Sequence, residues 1–178
     1  MMPMMSSAEI TKFKKYLSQA TNYLEYGSGG STVFASKFEN IKKIKSIESD
    51  SNWASKIQKE TTTEMNYINL GRTGGCGTPI DLSTKHLWPR YSQNYSEEFD
   101  LVLIDGRFRV ACFLDILLKQ GSPIVLFHDF LNRPEYHIIL QFSTVIESVD
   151  TLVVLKINDN IDLKIIQEFY NTYSIISD

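Results

Sequence analysis

The chain is poor in cysteine. Cys76 and Cys112 are the only two in 178 residues, and they form no CxxC pair and no Cys/His spacing, so nothing here reads as a structural zinc site. It also lacks an excess of basic charge. With 18 Lys and Arg against 21 Asp and Glu, the net charge is −3, which gives no reason to expect a general nucleic-acid binder and leaves room for a local basic pocket. No apolar run reaches the ~20 residues of a membrane span. The opening MMPMMSS has neither the basic region nor the apolar stretch of a secretory signal. Internal repeats are absent, and the only biased segment is that Met-rich start. These absences leave a soluble domain with no membrane association, expected in the cytoplasm.

What is present suits one domain. The chain weighs 20.4 kDa and 43% of it is hydrophobic, enough to bury roughly two-thirds of the unfolded surface. Residues 1–7 are expected to be frayed and 8–178 to form a single domain. Ser6 and Glu9 have capping-box spacing ahead of a helix running to about Ala20, with Ile10, Phe13, Tyr16 and Leu17 as its apolar stripe. Short apolar strands then alternate with helical segments: TNYLEY, a helix over 32–40, IKKIKSIE, SNWASKIQKET, MNYINL, FDLVLID, RVACFLDILLKQG and PIVLFH. A short helix is expected over 135–143, followed by STVIESVD and TLVVLKI as an antiparallel hairpin and a helix near 161–173. This alternation predicts an α/β fold: an open, doubly wound, mostly parallel sheet with helices on both faces and an antiparallel hairpin at one edge. Residues 71–98, rich in Gly, Ser and Thr, read as a long loop insertion without secondary structure, a feature usually functional or mobile.

The sharpest local signal is Leu24-Glu25-Tyr26-Gly27-Ser28-Gly29-Gly30-Ser31-Thr32, where a strand ends and a helix opens. Glycine permits positive φ and lets a ligand approach bare backbone. Unpaired N–H groups at a helix start attract polar or anionic atoms. A flexible turn in an unrelated α/β domain has the same composition. A dinucleotide fingerprint needs a third glycine where Thr32 stands, and Glu25 beside a diphosphate is electrostatically unfavourable, whereas beside an ammonium or sulfonium it is favourable. No GK[ST] follows, which argues against Walker-type phosphate binding. The second strand ends in Ile47-Glu48-Ser49-Asp50, about 20 residues on, where a carboxylate can accept both hydroxyls of a ribose. Glu48 is the better placed; Asp50 is equally readable as the cap of the helix carrying Trp53.

LEYGSGG at the first strand, IES at the second and FDLVLIDG at the fourth together resemble the class I S-adenosylmethionine-dependent methyltransferases. The resemblance runs from about residue 20 to 157. It implies a seven-stranded sheet with its final strands reversed and S-adenosylmethionine as cofactor. The glycine turn of such proteins holds the methionine part and the second-strand acid the ribose. Those roles fall on Glu25, Gly27, Ser28, Gly29, Glu48, Ser49 and Asp105. IDGRFRVACFLD, HDFLNRPEYH and the GRTGGCGTP…WPRY segment look like those of a small subgroup of uncharacterised methyltransferase-like proteins.

In a parallel sheet the chemistry lies beyond the carboxyl ends of the strands, which brings Asp105, His128 and Asp129 together. His128 is the expected general base, its ordinary pKa suiting proton transfer near neutrality; a hydrogen-bonded histidine at a strand exit is the structural alternative. Asp105 is expected to position substrate or cofactor, and Asp129 either to join it or to cap a turn. Arg107, Arg109 and Arg133 are candidates for an acidic substrate group or for salt bridges. Trp88 and Tyr91, with Arg90 and Tyr95, are candidates for stacking on adenine or sugar, or for anchoring the loop. Tyr136 and His137 either face the cleft or belong to a helix face. Some small-molecule O-methyltransferases hold Mg²⁺ after the fourth and fifth strands. Asp105, Asp129 and Asn132 are the oxygen ligands on offer here, but the familiar Asp-Asn pair is His-Asp, so Mg²⁺ stands as an alternative rather than the expectation.

The sequence therefore predicts methyl transfer from S-adenosylmethionine to a hydroxyl of a small polar molecule or sugar unit. Its rivals are a non-catalytic domain that binds an adenosine ligand or serves assembly, and a nicotinamide-dependent oxidoreductase. The apolar hairpin leaves a homo-oligomer open.

Overall fold

A computed structural model describes residues 1–95, 98–119 and 121–177. Ser96 and Glu97, at the end of the long insertion, lie outside the described residues, as do Gln120 and Asp178. The chain forms α1 (Ser7–Leu17), β1 (Asn22–Tyr26), α2 (Gly30–Ala35), β2 (Lys43–Glu48), α3 (Ser51–Gln58), β3 (Glu64–Tyr67), β4 (Leu101–Ile104), α4 (Arg109–Leu118), β5 (Ile124–Phe127), β6 (Ser143–Val149), β7 (Leu152–Ile157) and α5 (Leu163–Tyr173).

The seven strands lie in the order β3-β2-β1-β4-β5-β7-β6. β1 to β5 run parallel, and β7 is antiparallel to both of its neighbours. The hairpin expected at the edge is present, with one refinement. β7 is inserted between β5 and β6, so its Leu152-Val153-Val154-Leu155 run is completely buried and β6 alone of the hairpin is an edge strand. β6 has a register shift between Val145 and Glu147, and Glu147 is engaged by Lys12, Lys15 and Tyr16 of α1. A bulge and a charged side chain tied to a helix blunt an edge against further pairing.

Helices cover both faces. On one, α1 inserts Phe13 and Leu17, both fully buried, against Tyr23, Leu101, Leu103, Leu126 and Val154. Burying each such side chain contributes about 1.5–3 kcal/mol. On the other, α4 contributes Phe113, Leu114 and Leu117 to a larger cluster with Tyr26, Ile104, Phe127 and Tyr170. α1 starts as expected: Glu9 N–H donates to Ser6 Oγ at 3.1 Å and Ser6 N–H to Glu9 Oε2 at 2.9 Å.

The 71–98 insertion differs from a structureless loop. It folds into a 3-10 turn at Gly75–Gly77 and a 3-10 helix at Leu82–Arg90, capped by Asp81, whose carboxylate accepts the Ser83 N–H at 3.0 Å. Trp88 and Tyr91 enter the main core beside Phe108. The Gly- and Ser-rich composition hides these aromatic anchors, which supply the burial that the local pattern lacks. The helix expected over 135–143 is likewise 3-10, at Pro134–Gln141.

Chain order runs outward from β1 to β2 and β3, then restarts at β4 and runs the other way. A crevice therefore opens between the carboxyl ends of β1 and β4, where such sheets bind ligands. The ladder continues just past those ends. Asp105 N–H donates to the Tyr26 carbonyl at 2.9 Å, and His128 N–H to the Ile104 carbonyl at 3.1 Å.

Candidate functional site

A cavity of about 690 Å³ occupies this crevice. One wall is the glycine turn Gly27–Ser31 with Glu48, Ser49, Asp50 and Trp53; the other is Asp105, Arg107, Arg109, His128, Asp129 and Arg133. The inserted loop adds Cys76, Gly77 and Tyr91, and Met1, Met2 and Met4 close the rim, so the segment expected to be frayed lies across the cavity.

The glycine turn is shaped by two backbones in contact. Gly27 has φ +91°, and a Cβ there would lie 2.6 Å from the Gly106 Cα. Gly29 is extended and buried, yet a Cβ built on it meets no atom within 4 Å, because it points into open cavity. That vacant methyl-sized space on bare backbone is the approach a cofactor's main chain requires.

Glu25, expected to face an ammonium or sulfonium, does not reach the cavity. It is completely buried beneath the turn and accepts hydrogen bonds from the hydroxyls of Ser31, Thr32 and Ser46. Burial pushes its carboxyl up to about 7, against the lowering effect of those hydroxyls. Because Thr32 also accepts the Gly29 N–H at 2.9 Å, Glu25 holds the turn in shape from below. β1 alternates its side chains, and the face on which Glu25 falls is the one that α2 covers.

Glu48 does line the cavity. Its Oε2 accepts the Ser28 N–H at 3.1 Å and hydroxyl at 2.9 Å, and Oε1 accepts the N–H groups of Ser49 at 2.7 Å and Asp50 at 2.9 Å. Burial nevertheless raises its pKa above the usual carboxylate range, with these bonds opposing. Ser49 Oγ donates to the Gly77 carbonyl at 2.9 Å, tying the inserted loop to the end of β2. Asp50 caps α3, accepting the N–H groups of Asn52 and Trp53 at 2.9 Å. Trp53 was legible only as a helix-face residue, but its indole N–H donates to the Ser28 carbonyl at 2.8 Å and braces the turn.

Across the cavity, Asp105, His128 and Asp129 do converge. His128 Nδ1 lies 2.9 Å from Asp105 Oδ1 and 3.8 Å from Asp129 Oδ1. The opposite ring nitrogen, Nε2, lies 3.4 Å from Glu9 Oε2, a contact no sequence spacing announces. With a carboxylate at each nitrogen, the ring has no open nitrogen to offer as a base. Burial lowers its pKa, but Asp105, Asp129 and Glu9 outweigh that, and the net shift is upward from 6.5. Asp129 sits at φ +55° and Phe108 at φ +52°, two left-handed non-glycine residues of the kind that cluster at functional sites.

Arg109 is an internal cation. Only 2% exposed, it donates to the carbonyls of Gly106 at 3.0 Å and His128 at 2.6 Å, and its Nη2 lies 3.4 Å from Asp105 Oδ1 and 3.3 Å from Asp129 Oδ2. Of its two expected roles, the salt-bridging one is visible here: it holds the two strand ends together while lining the cavity. Arg133 reaches Asp129 Oδ2 at 3.4 Å and the Tyr136 hydroxyl at 2.9 Å, and Arg107 reaches Thr78 at 3.4 Å; both border the cavity. Trp88 does not, being buried in the core, and Tyr91 forms the floor under Gly106. Tyr136 is a core residue, and the His137 ring packs at a tilt against Phe130 with Nε2 at 3.0 Å from its carbonyl.

One ligand atom from each of Asp105, His128 and Asp129 falls within 4.8 Å of the others. Arg109 already bridges both carboxylates, however, and Nδ1 is committed to Asp105. Mg²⁺ favours a shell of oxygens, so this donor set with its own cation does not fit it.

Strand order, the glycine turn and a crevice bordered by strand-end acids define the class I S-adenosylmethionine-dependent methyltransferase-like fold. Among solved structures, a methyltransferase-like protein from Silicibacter pomeroyi superposes with a TM-score of 0.85 at 26% identity, over 99% of this chain and 97% of that one. Two more distant structures share the fold alone. The ribosomal protein L11 methylase of Lactobacillus delbrueckii subsp. bulgaricus gives a TM-score of 0.54 at 11% identity over 86% and 80% of the two chains. The N-methyltransferase NodS of Bradyrhizobium japonicum, crystallised with S-adenosyl-L-homocysteine, gives 0.51 at 14% over 86% and 89%. No protein-family model matches the chain, and no curated protein does. No helix among the described residues is long and apolar enough to cross a membrane.

Proposed function

We propose that this protein transfers a methyl group from S-adenosylmethionine to a hydroxyl of a small polar molecule or sugar unit. The carrying observation is that one cavity joins the open backbone at Gly29 and the Glu48 carboxylate to the Asp105 carboxylate. Its volume of about 690 Å³ favours a small acceptor beside the cofactor.

The bound cofactor supplies an electrophilic methyl on a sulfonium sulfur. Gly27 and Gly29 admit its amino-acid portion against bare backbone. Glu48, whose carboxylate lines the cavity, would hold the ribose. Asp105 has one oxygen engaged by His128 and Arg109 and borders the cavity, so it would take the acceptor's proton as the new carbon–oxygen bond forms and the methyl–sulfur bond breaks, leaving its electron pair on sulfur. His128 and Arg109 fix its direction. This assigns proton acceptance to Asp105 in place of His128, whose nitrogens are both engaged. Arg133 and Arg107 border the acceptor's entry.

Titration calorimetry tests the cofactor. Saturable, near one-to-one binding of S-adenosylmethionine without binding of NADH is the expected result. NADH binding in its place would make the protein a nicotinamide enzyme, a comparison that matters because Glu25, the acid that argued against a diphosphate, is outside the cavity. Binding without transfer to any of a panel of sugars and small hydroxyl compounds would leave an adenosine-ligand-binding domain.

Glu48→Ala is expected to weaken S-adenosylmethionine binding by about ten- to a hundredfold, the loss of one or two hydrogen bonds to a charged acceptor at about 1.5–3 kcal/mol. Calorimetry on variant shown to be folded by near-ultraviolet circular dichroism checks it, and an unchanged dissociation constant removes Glu48 from ribose recognition.

A further inference from the structure

Glu9 belongs to α1, far in sequence from the strand ends, yet it is 4% exposed and touches three parts of the molecule at once. Oε1 accepts the N–H and hydroxyl of Thr151, in the β6–β7 turn, at 3.0 and 2.8 Å. Oε2 accepts the Ser6 N–H at 2.9 Å and faces His128 Nε2 at 3.4 Å. The capping box explains the bond to Ser6. It does not require the side chain to run inward to a histidine in the cavity wall.

We propose that Glu9 is a positioning residue of the site: with Asp105 on the opposite side it grips His128 by both ring nitrogens, fixing the ring as a doubly hydrogen-bonded imidazolium. Neutral imidazole has one donor and one acceptor nitrogen, so it cannot satisfy a carboxylate at each end; the protonated ring donates to both. The charged groups facing it are Glu9 from α1, Asp105 after β4, Asp129 after β5, and Arg109 from α4, which binds the His128 carbonyl. Glu9 remains an anion throughout: burial raises its pKa, but the Ser6 and Thr151 bonds, with His128, hold it at about 2. As a consequence, the seating of α1 and its Met-rich leading segment over the cavity is linked to the charge on His128. The raised folded-state pKa means that this grip stabilises fully below pH 6.5 and is lost as pH rises through the folded midpoint.

The proposal rests on the cavity being the methyl-transfer site, but its test does not use transfer. Nitrogen-15 NMR of the three histidines, with His128 assigned by substitution, reads the ring directly. In the wild-type protein at pH 7, both His128 nitrogens are expected to carry protons. Glu9→Gln keeps the size and shape of the side chain but removes its charge, and its single carbonyl oxygen can keep the Thr151 bonds or the Ser6 bond, not both. It is expected to lower the His128 midpoint by about one unit or more, the usual effect of an opposite charge at this distance. A neutral His128 tautomer in the wild type, or the same midpoint in Glu9→Gln, overturns the proposal and leaves Glu9 a helix cap. If Glu9→Gln fails to fold, the wild-type spectrum alone decides. Failure of S-adenosylmethionine to bind by calorimetry would instead overturn the functional reading while leaving the grip on His128 measurable.

Discussion

Gly29→Val is expected to leave thermal stability almost unchanged and to reduce S-adenosylmethionine affinity by about ten- to a hundredfold. The position is extended backbone that any residue adopts, and a Cβ there meets no protein atom. The fold therefore loses no more than about 0.5 kcal/mol, the usual scale for a change away from packed features. The added carbons occupy the space assigned to the cofactor, and overpacking a close contact costs about 1–3 kcal/mol. Gly27→Ala, two residues away, is expected to behave in the opposite sense. Its φ of +91° and a Cβ 2.6 Å from the Gly106 backbone make the substitution strained, with no flexible side chain to give way. Backbone strain of about 1–3 kcal/mol adds to overpacking of similar size, a large part of a domain's total stability. Paired melting curves and calorimetry check both. Undiminished affinity in Gly29→Val would place the cofactor elsewhere.

Asp105→Asn is expected to lower the transfer rate by about a hundredfold or more at neutral pH, since a positioned general base contributes about 10²–10⁴. Asparagine preserves the shape of the side chain that meets His128 and Arg109 but cannot take a proton. The informative comparison uses two acceptors, an alcohol and a compound whose hydroxyl is already ionised at the assay pH. Loss of the base matters for the first and not for the second, so the deficit is expected to shrink with acceptor acidity. An equal deficit for both would show that Asp105 organises the site without accepting the proton. Cofactor titration of the variant separates that outcome from weakened S-adenosylmethionine binding.

The parallel sheet, its edge hairpin and the glycine turn were legible because they are local patterns. Runs such as LVLI and IVLF are short, apolar and separated by helical segments, which leaves few arrangements for a right-handed, doubly wound sheet. Trp88 shows where such reading stops. In a polar, glycine-rich stretch an aromatic residue looks like a ligand platform, and only the position of Phe108 makes it a core residue. Glu25 shows the same limit in reverse: its charge and its place before the turn suggested a cofactor contact, but the pleat points it under the turn, toward three hydroxyls.

The glycines at 27 and 29, the acid at 48 and the polar strand ends at 105, 128 and 129 were determined by sequence alone, because chain direction in a parallel sheet brings every such end to one rim. The state of each group was decided by tertiary structure. Arg109 became an internal cation, and both ring nitrogens of His128 came to face carboxylates, through contacts with residues distant in the chain. Glu9 is the clearest case. Its spacing from Ser6 marked a helix cap, and only the packing of α1 against the sheet carried the same carboxylate to His128. Charge and hydrogen-bonding state depend on what lies within a few ångströms in space, and sequence spacing specifies that distance only inside a single turn of helix or strand.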